Sequence, residues 1–250
     1  MRIIIGLLFV GLFACAPITN QSDVDKQQAE SNYKMAISHL QGNNPTMALK
    51  KLLVAVELDP TNSAIHVALA QAYQLKHSYP NAERHYLKAL ELSSDDPRYL
   101  NNLASLYLDM HLWDKAIVYF DRAIEDLLFM SPHIAYAGKG YAYFQKKDFV
   151  TALEQYDAAL EISPRFARVY YLKSEVYREM DDMGRSRKAL ERAISLAPEY
   201  AQANYQLAIL LLKEKEITLA KERLQIVVEV VPDSEIGFKS EELLRGLKGQ

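Results

Sequence analysis

Half of the 250 residues are hydrophobic and only nine are glycine, which excludes loop-rich and β-rich scaffolds and suits a long helical chain. A net charge of −3 and a pI near 6.1 give no global attraction to nucleic acid or anionic lipid, so nucleic acid is not an expected partner. Cys15 is the only cysteine, which rules out a disulfide within the chain.

The chain opens with Arg2, an apolar run from Ile3 to Phe13, and then Ala14, Cys15, Ala16 and Pro17. One basic residue, a short apolar run and a small residue form a secretory signal over residues 1–14, too short to span a bilayer comfortably. Leu12-Phe13-Ala14-Cys15 resembles a bacterial lipobox, in which the cysteine becomes the lipidated first residue after cleavage. A plain signal peptide cut near Ala14 and an uncleaved anchor are the other readings. Lipidation of Cys15 implies a membrane partner through the acyl chains. By resemblance to Gram-negative lipoproteins, Ala16 in place of an aspartate implies the outer membrane, facing the periplasm. Residues 17 to about 28 are polar without helical periodicity and predict a flexible tether over 15–28.

From residue 29 one pattern recurs. Stepping from Ala116 gives Ala48, Ala82, Ala116, Ala152, Ser186 and Ala220, at intervals of 34, 34, 36, 34 and 34 residues. This spacing, with the small and large residues of Asn101 to Ala123, resembles the tetratricopeptide repeat. The expected fold class is therefore all-α, a superhelical solenoid of six helix-turn-helix repeats: 29–62, 63–96, 97–132, 133–166, 167–200 and 201–233. A second ladder of small residues, Ala36, Ala70, Ala104, Gly140, Ser174 and Ala208, marks close helix crossings. Tyr73, Tyr107, Tyr143 and Tyr177 follow it three residues later as packing groups. Second helices begin at Pro45, Tyr79, Trp113, Phe149, Met183 and Ile217, with Asn44, Asp148 and Asp182 as N-caps and Trp113 in the core.

Pro60, Pro164, Pro198 and Pro232 close second helices, and Pro97 closes the second repeat three residues late. The third repeat houses its two extra residues in Asp126-Leu127-Leu128-Phe129-Met130, predicting a longer second helix with an apolar tip that either packs under the next repeat or meets a partner. Residues 234–250 place Ile236, Phe238, Leu243, Leu244 and Leu247 among charges and predict a capping helix.

Catalytic chemistry is missing from this pattern. The six histidines are dispersed, with no HExxH pair and no second cysteine, so no metal site and no cofactor is expected. Gly138-Lys139-Gly140 lacks the strand and spacing of a phosphate loop, and no GxSxG elbow occurs. The expectation is a binding protein, not an enzyme. First helices of such repeats line a concave groove, and the positions facing it include Arg98, Asn101, Ser105, Tyr141, Phe144, Arg168 and Tyr171, with Tyr33, Gln71, Glu175, Arg178 and Tyr205 beyond them. Aromatics beside Arg and Asn suit a protein or peptide partner. The competing reading is that Tyr141, Phe144 and Tyr205 fill a tightly wound interior. A clamp for a C-terminal carboxylate is disfavoured, because Val67, Ile134 and Gly138 stand where it needs Lys, Asn or Arg.

The lipobox, the tether, six repeats, Asn101-Asn102 opening the third repeat and the two-residue expansion after it together resemble the type IV pilus pilotins, the pilus biogenesis and stability lipoproteins. The resemblance spans nearly the whole chain and implies an outer-membrane lipoprotein that helps a pilus secretin reach the outer membrane and multimerise. Only Cys15 carries over residue by residue. A periplasmic scaffold for peptidoglycan enzymes or outer-membrane protein assembly, and more remotely an envelope enzyme, are the alternatives.

Overall fold

The computed structural model describes residues 21–247, so Cys15 and the apolar run before it lie outside the described residues. Helix α1 (Gln21–Gln41) pairs with α2 (Pro45–Leu58), α3 (Ser63–Leu75) with α4 (Tyr79–Ser93), and α5 (Pro97–Asp109) with α6 (Trp113–Glu125). The second half repeats the arrangement with α7 (Pro132–Gln145) and α8 (Phe149–Ile162), α9 (Ala167–Glu179) and α10 (Met183–Leu196), and α11 (Ala201–Lys213) and α12 (Ile217–Val230). A last helix, α13 (Glu235–Gly246), closes the stack. Each helix packs on its neighbours in sequence, and α5, α7 and α9 also touch in succession, so the first helices of the middle repeats share one inner face.

Both ladders are core. Ala48, Ala82, Ala116, Ala152, Ser186 and Ala220 are buried, as are Ala36, Ala70, Ala104, Gly140, Ser174 and Ala208. Small side chains let paired helices approach until each side chain fits the groove of the other. Gly140 shows how tight this is, since a Cβ there would stand 2.6 Å from the ring of Tyr156 and 3.1 Å from the carbonyl oxygen of Ala152. Asn44, Asp148 and Asp182 cap their helices, accepting from the backbone N–H groups of Met47, Thr151 and Arg185 at 3.1, 3.2 and 2.8 Å.

Several expectations are corrected. Helix α1 starts at Gln21, so residues 21–28 are helical, not tether. They are nearly all solvent-exposed, and an exposed helix shows no apolar stripe to read. Helix α6 is not lengthened: it ends at Glu125, and residues 126–131 form a loop. Asp126 caps that end, its Oδ1 accepting from Leu128 N–H at 2.8 Å and its carbonyl from Phe129 N–H at 3.0 Å. Pro97 opens α5 at its first turn; α4 is stopped by Ser94 and Asp95, both left-handed at φ 53° and 63°. Trp113 is half-buried, standing beside His111 and Tyr141. Phe238 faces solvent, while Gly237 and Ser240 form the buried face of α13.

Candidate functional site

The groove opens along α5, α7 and α9 as a cleft of about 610 Å³. Its apolar lining is made by Leu108, Ala137 and Leu172, by Phe120, which reaches in from α6, and by the exposed Ile134. Gly138 makes room for that ring, because a Cβ on it would lie 2.3 Å from Phe120 Cζ. The rim is polar: Asn101, Asn102 and Ser105 on α5, Arg168 on α9, and Asp109 with His77 and His111 where the first helices end.

Four of the seven expected groove residues, Asn101, Ser105, Tyr141 and Arg168, meet in this cleft. Asn101 Oδ1 is buried and accepts no hydrogen bond from protein atoms. Arg168 is exposed and makes no ion pair with a described residue. Tyr141 stands edge-on to Trp113 at 6.3 Å between ring centroids and tilted to Phe144 at 6.5 Å.

The other three are engaged elsewhere. Arg98 turns back on the cap of its own helix, with its guanidinium 2.6 Å from Asp96 Oδ2. That hydrogen bond holds the Asp96 carboxyl below its usual range and raises Arg98. Phe144 packs between Tyr141 and Phe149. Tyr171 packs on Tyr200 at 5.4 Å, and burial pushes its phenol up to about 12. Beyond it Glu175 and Arg178 pair at 2.9 Å, with burial raising the carboxyl, so these later positions bind each other.

Sequence reasoning missed the histidine rim. His77 and His111 occupy the same turn position in successive repeats, each with an aromatic residue two places on, Tyr79 and Trp113. His77 Nδ1 lies 3.0 Å from the Tyr79 hydroxyl, and His111 lies 5.1 Å from Trp113, centroid to centroid. The repeated His-x-aromatic spelling was the available signal. Among the described residues no group of three or more His, Cys, Asp or Glu is placed to hold a metal.

Six antiparallel helix pairs with two ladders of small residues and a concave apolar cleft define a tetratricopeptide-repeat protein. Family models for this repeat match residues 33–97, 140–181, 167–200 and 202–234. The chain resembles the PilF and PilW type IV pilus biogenesis factors. It is 27% identical to the type IV pilus assembly protein PilF of Pseudomonas aeruginosa over 165 residues, which is 64% of this chain and 66% of that protein. In fold it is similar to the crystal structure of PilW, a widely conserved type IV pilus biogenesis factor, with a TM-score of 0.73 over 85% of this chain and 98% of that one at 19% identity. The solved structure of Pseudomonas aeruginosa PilF gives 0.69 over 88% and 99% at 19% identity.

Proposed function

We propose that this chain is an envelope-tethered adaptor of type IV pilus assembly, whose central groove holds a segment of a partner protein, a pilus secretin, and promotes its localisation and multimerisation at the outer membrane. Acylation of Cys15 supplies the address, with the repeats facing the periplasm. The observation that carries the binding role is the cleft on α5, α7 and α9, where a shielded Asn101 oxygen without a donor lies beside the uncommitted Arg168 cation and an apolar lining. A docked segment would place an apolar side chain against that lining and a backbone N–H on Asn101, and a buried acceptor left unsatisfied is costly enough to favour such a donor. The work is binding, with no chemical step. The resemblance to pilus biogenesis factors supports the choice of partner.

The test is Asn101→Ala combined with Tyr141→Ala, followed by crosslinking pull-down from intact cells and by the yield of detergent-resistant secretin multimers. Loss of an aromatic anchor and a buried hydrogen bond should weaken capture by roughly tenfold or more. Normal secretin multimers and surface pili in a strain lacking the protein would overturn the reading.

A further inference from the structure

The loop of residues 126–131 is unlike any other in the stack. Leu127, Leu128 and Met130 are 98%, 85% and 91% exposed, while Phe129 between them is 7% exposed and belongs to the core of repeats two to four. The buried Phe129 and the two hydrogen bonds to Asp126 hold the loop in shape. Three large aliphatic side chains are thus presented on a fixed, convex tip. A tip with no concavity of its own needs either a hollow in a partner or a soft apolar medium.

Topology says where it points. In a stack of sequential antiparallel pairs, every odd-numbered helix starts, and every even-numbered helix ends, on one edge. That edge carries residue 21, where the described chain begins, together with the loop 126–131. Helix α1 has 21 residues against 13 in α3 and α5. Its extra eight project about 12 Å past that edge. Residue 21, to which Cys15 is joined by only six residues of chain, therefore stands on the same edge as Leu127, Leu128 and Met130.

We propose that this loop dips into the lipid surface to which the chain is tethered, fixing the edge of the solenoid against the bilayer. The inference rests on the reading that Cys15 is acylated. The six loops of this edge carry Asp59, Asp95, Asp96, Asp126, Glu199 and Asp233 against Arg165 alone. Two of these acids are neutralised, Asp96 by Arg98 and Asp95 by Arg122 at 2.6 and 2.7 Å, and Arg168 in the first turn of α9 adds an exposed cation. The edge has no cluster of cations to hold anionic headgroups, so the contact is hydrophobic and zwitterionic lipid suffices, unlike the case of a polybasic anchor. A lipid and an inserted loop together would set an orientation, which a single point of attachment cannot do.

The test uses the full chain with Leu128→Cys, purified from membranes, labelled with an environment-sensitive fluorophore and reconstituted into phosphatidylcholine vesicles. The thioether of an acylated Cys15 blocks its own thiol, so position 128 takes the only label. Val150→Cys, on the opposite edge and exposed, is the control. Position 128 should be at least threefold less open to iodide than position 150, should be quenched by nitroxide-bearing acyl chains, and should need no anionic lipid for this protection. Equal iodide access at both positions overturns the proposal. So does protection of position 128 that appears only with a protein partner and not with lipid. Two labels per chain by mass spectrometry would instead show a free Cys15 thiol, removing the tether on which the proposal stands; one label with an iodide-open position 128 sinks the loop alone.

Discussion

His66 and His85 show how much one residue's surroundings decide. Their Nδ1 atoms stand 3.0 Å apart, and His66 Nε2 lies 3.1 Å from the Pro60 carbonyl. A carbonyl only accepts, so His66 Nε2 carries the hydrogen, and in the neutral pair His85 Nδ1–H donates to His66 Nδ1. Tyr73 stacks on His85 at 5.6 Å between ring centroids. Burial first, then His66 and Arg84, bring His85 down to about 4 from 6.5. The unfolded chain thus takes up a proton near pH 6.5 that the folded one refuses until about 4, so stability is full above 6.5 and falls as pH drops toward 4. With half the ring still near solvent, the loss should be on the order of 1–2 kcal/mol. Denaturant melts from pH 7 to 4 should show it, and His85→Gln should flatten the slope in that window. The donor to Pro60 is one of a series: Tyr170 hydroxyl and Asn204 Nδ2 donate to the carbonyls of Pro164 and Pro198 at 3.3 and 2.8 Å, each six residues ahead. The prolines were legible as helix stops. The donors that satisfy their carbonyls were not, because histidine, tyrosine and asparagine share no composition signal. At Gly140, alanine would gain about 1 kcal/mol of helix propensity. It would also overpack Tyr156, which is fully buried, at about 1–3 kcal/mol. Gly140→Ala should therefore lower the denaturation midpoint despite being the better helix former.

The turn between paired helices recurs as faithfully as the helices. Asn43, His77, His111, Lys147, Asp181 and Lys215 all have positive φ, from 51° to 63°, at the spacing of the alanine ladder. This left-handed residue lets the chain reverse in three residues, but for a side chain other than glycine it costs roughly 1–2 kcal/mol. Lys147 is exposed and makes no ion pair with a described residue. Lys147→Gly should therefore stabilise the repeat, by a few tenths to 1 kcal/mol after the extra backbone entropy of glycine. A lowered denaturation midpoint would show that Lys147 makes a compensating contact. Element starts were readable wherever a polar cap precedes an apolar run, as at Asn44, Asp148 and Asp182. Besides Pro97, which opens α5 instead of closing α4, two boundaries were misread because their signals are ambiguous. The polar residues 21–28 spell exposed helix or tether equally well. The run from Leu127 to Met130 spells helix tip or projecting loop until Asp126 turns the chain.

At the scale of the whole molecule, stability is shared between neighbouring repeats, and a defect at one crossing is felt along the stack. Ala116 is fully buried in the third of six repeats. Ala116→Trp should lower the denaturation midpoint strongly, at a cost of about 1–3 kcal/mol or more. The same stack explains which groove residues could be read in advance. The period locates positions facing the inner surface, and Asn101, Ser105, Tyr141 and Arg168 among them line the cleft. It does not say which of those side chains find a partner within the protein, and Arg98, Phe144 and Tyr171 did. The cleft opens where the third and fourth repeats are spaced by 36 residues instead of 34 and Gly138 admits Phe120. On the proposed reading site and address sit on separate parts of the chain, and they should separate by mutation. Cys15→Ser should leave partner capture in solution unchanged and send the complex to the soluble fraction. Asn101→Ala with Tyr141→Ala should do the reverse, weakening capture roughly tenfold or more while the protein stays folded and membrane-bound. Fractionation, circular dichroism and the yield of secretin multimers distinguish the two. If the groove variant captured secretin at wild-type strength while the lipid variant did not, binding would depend on the membrane-facing edge, and the cleft would lose its assigned role.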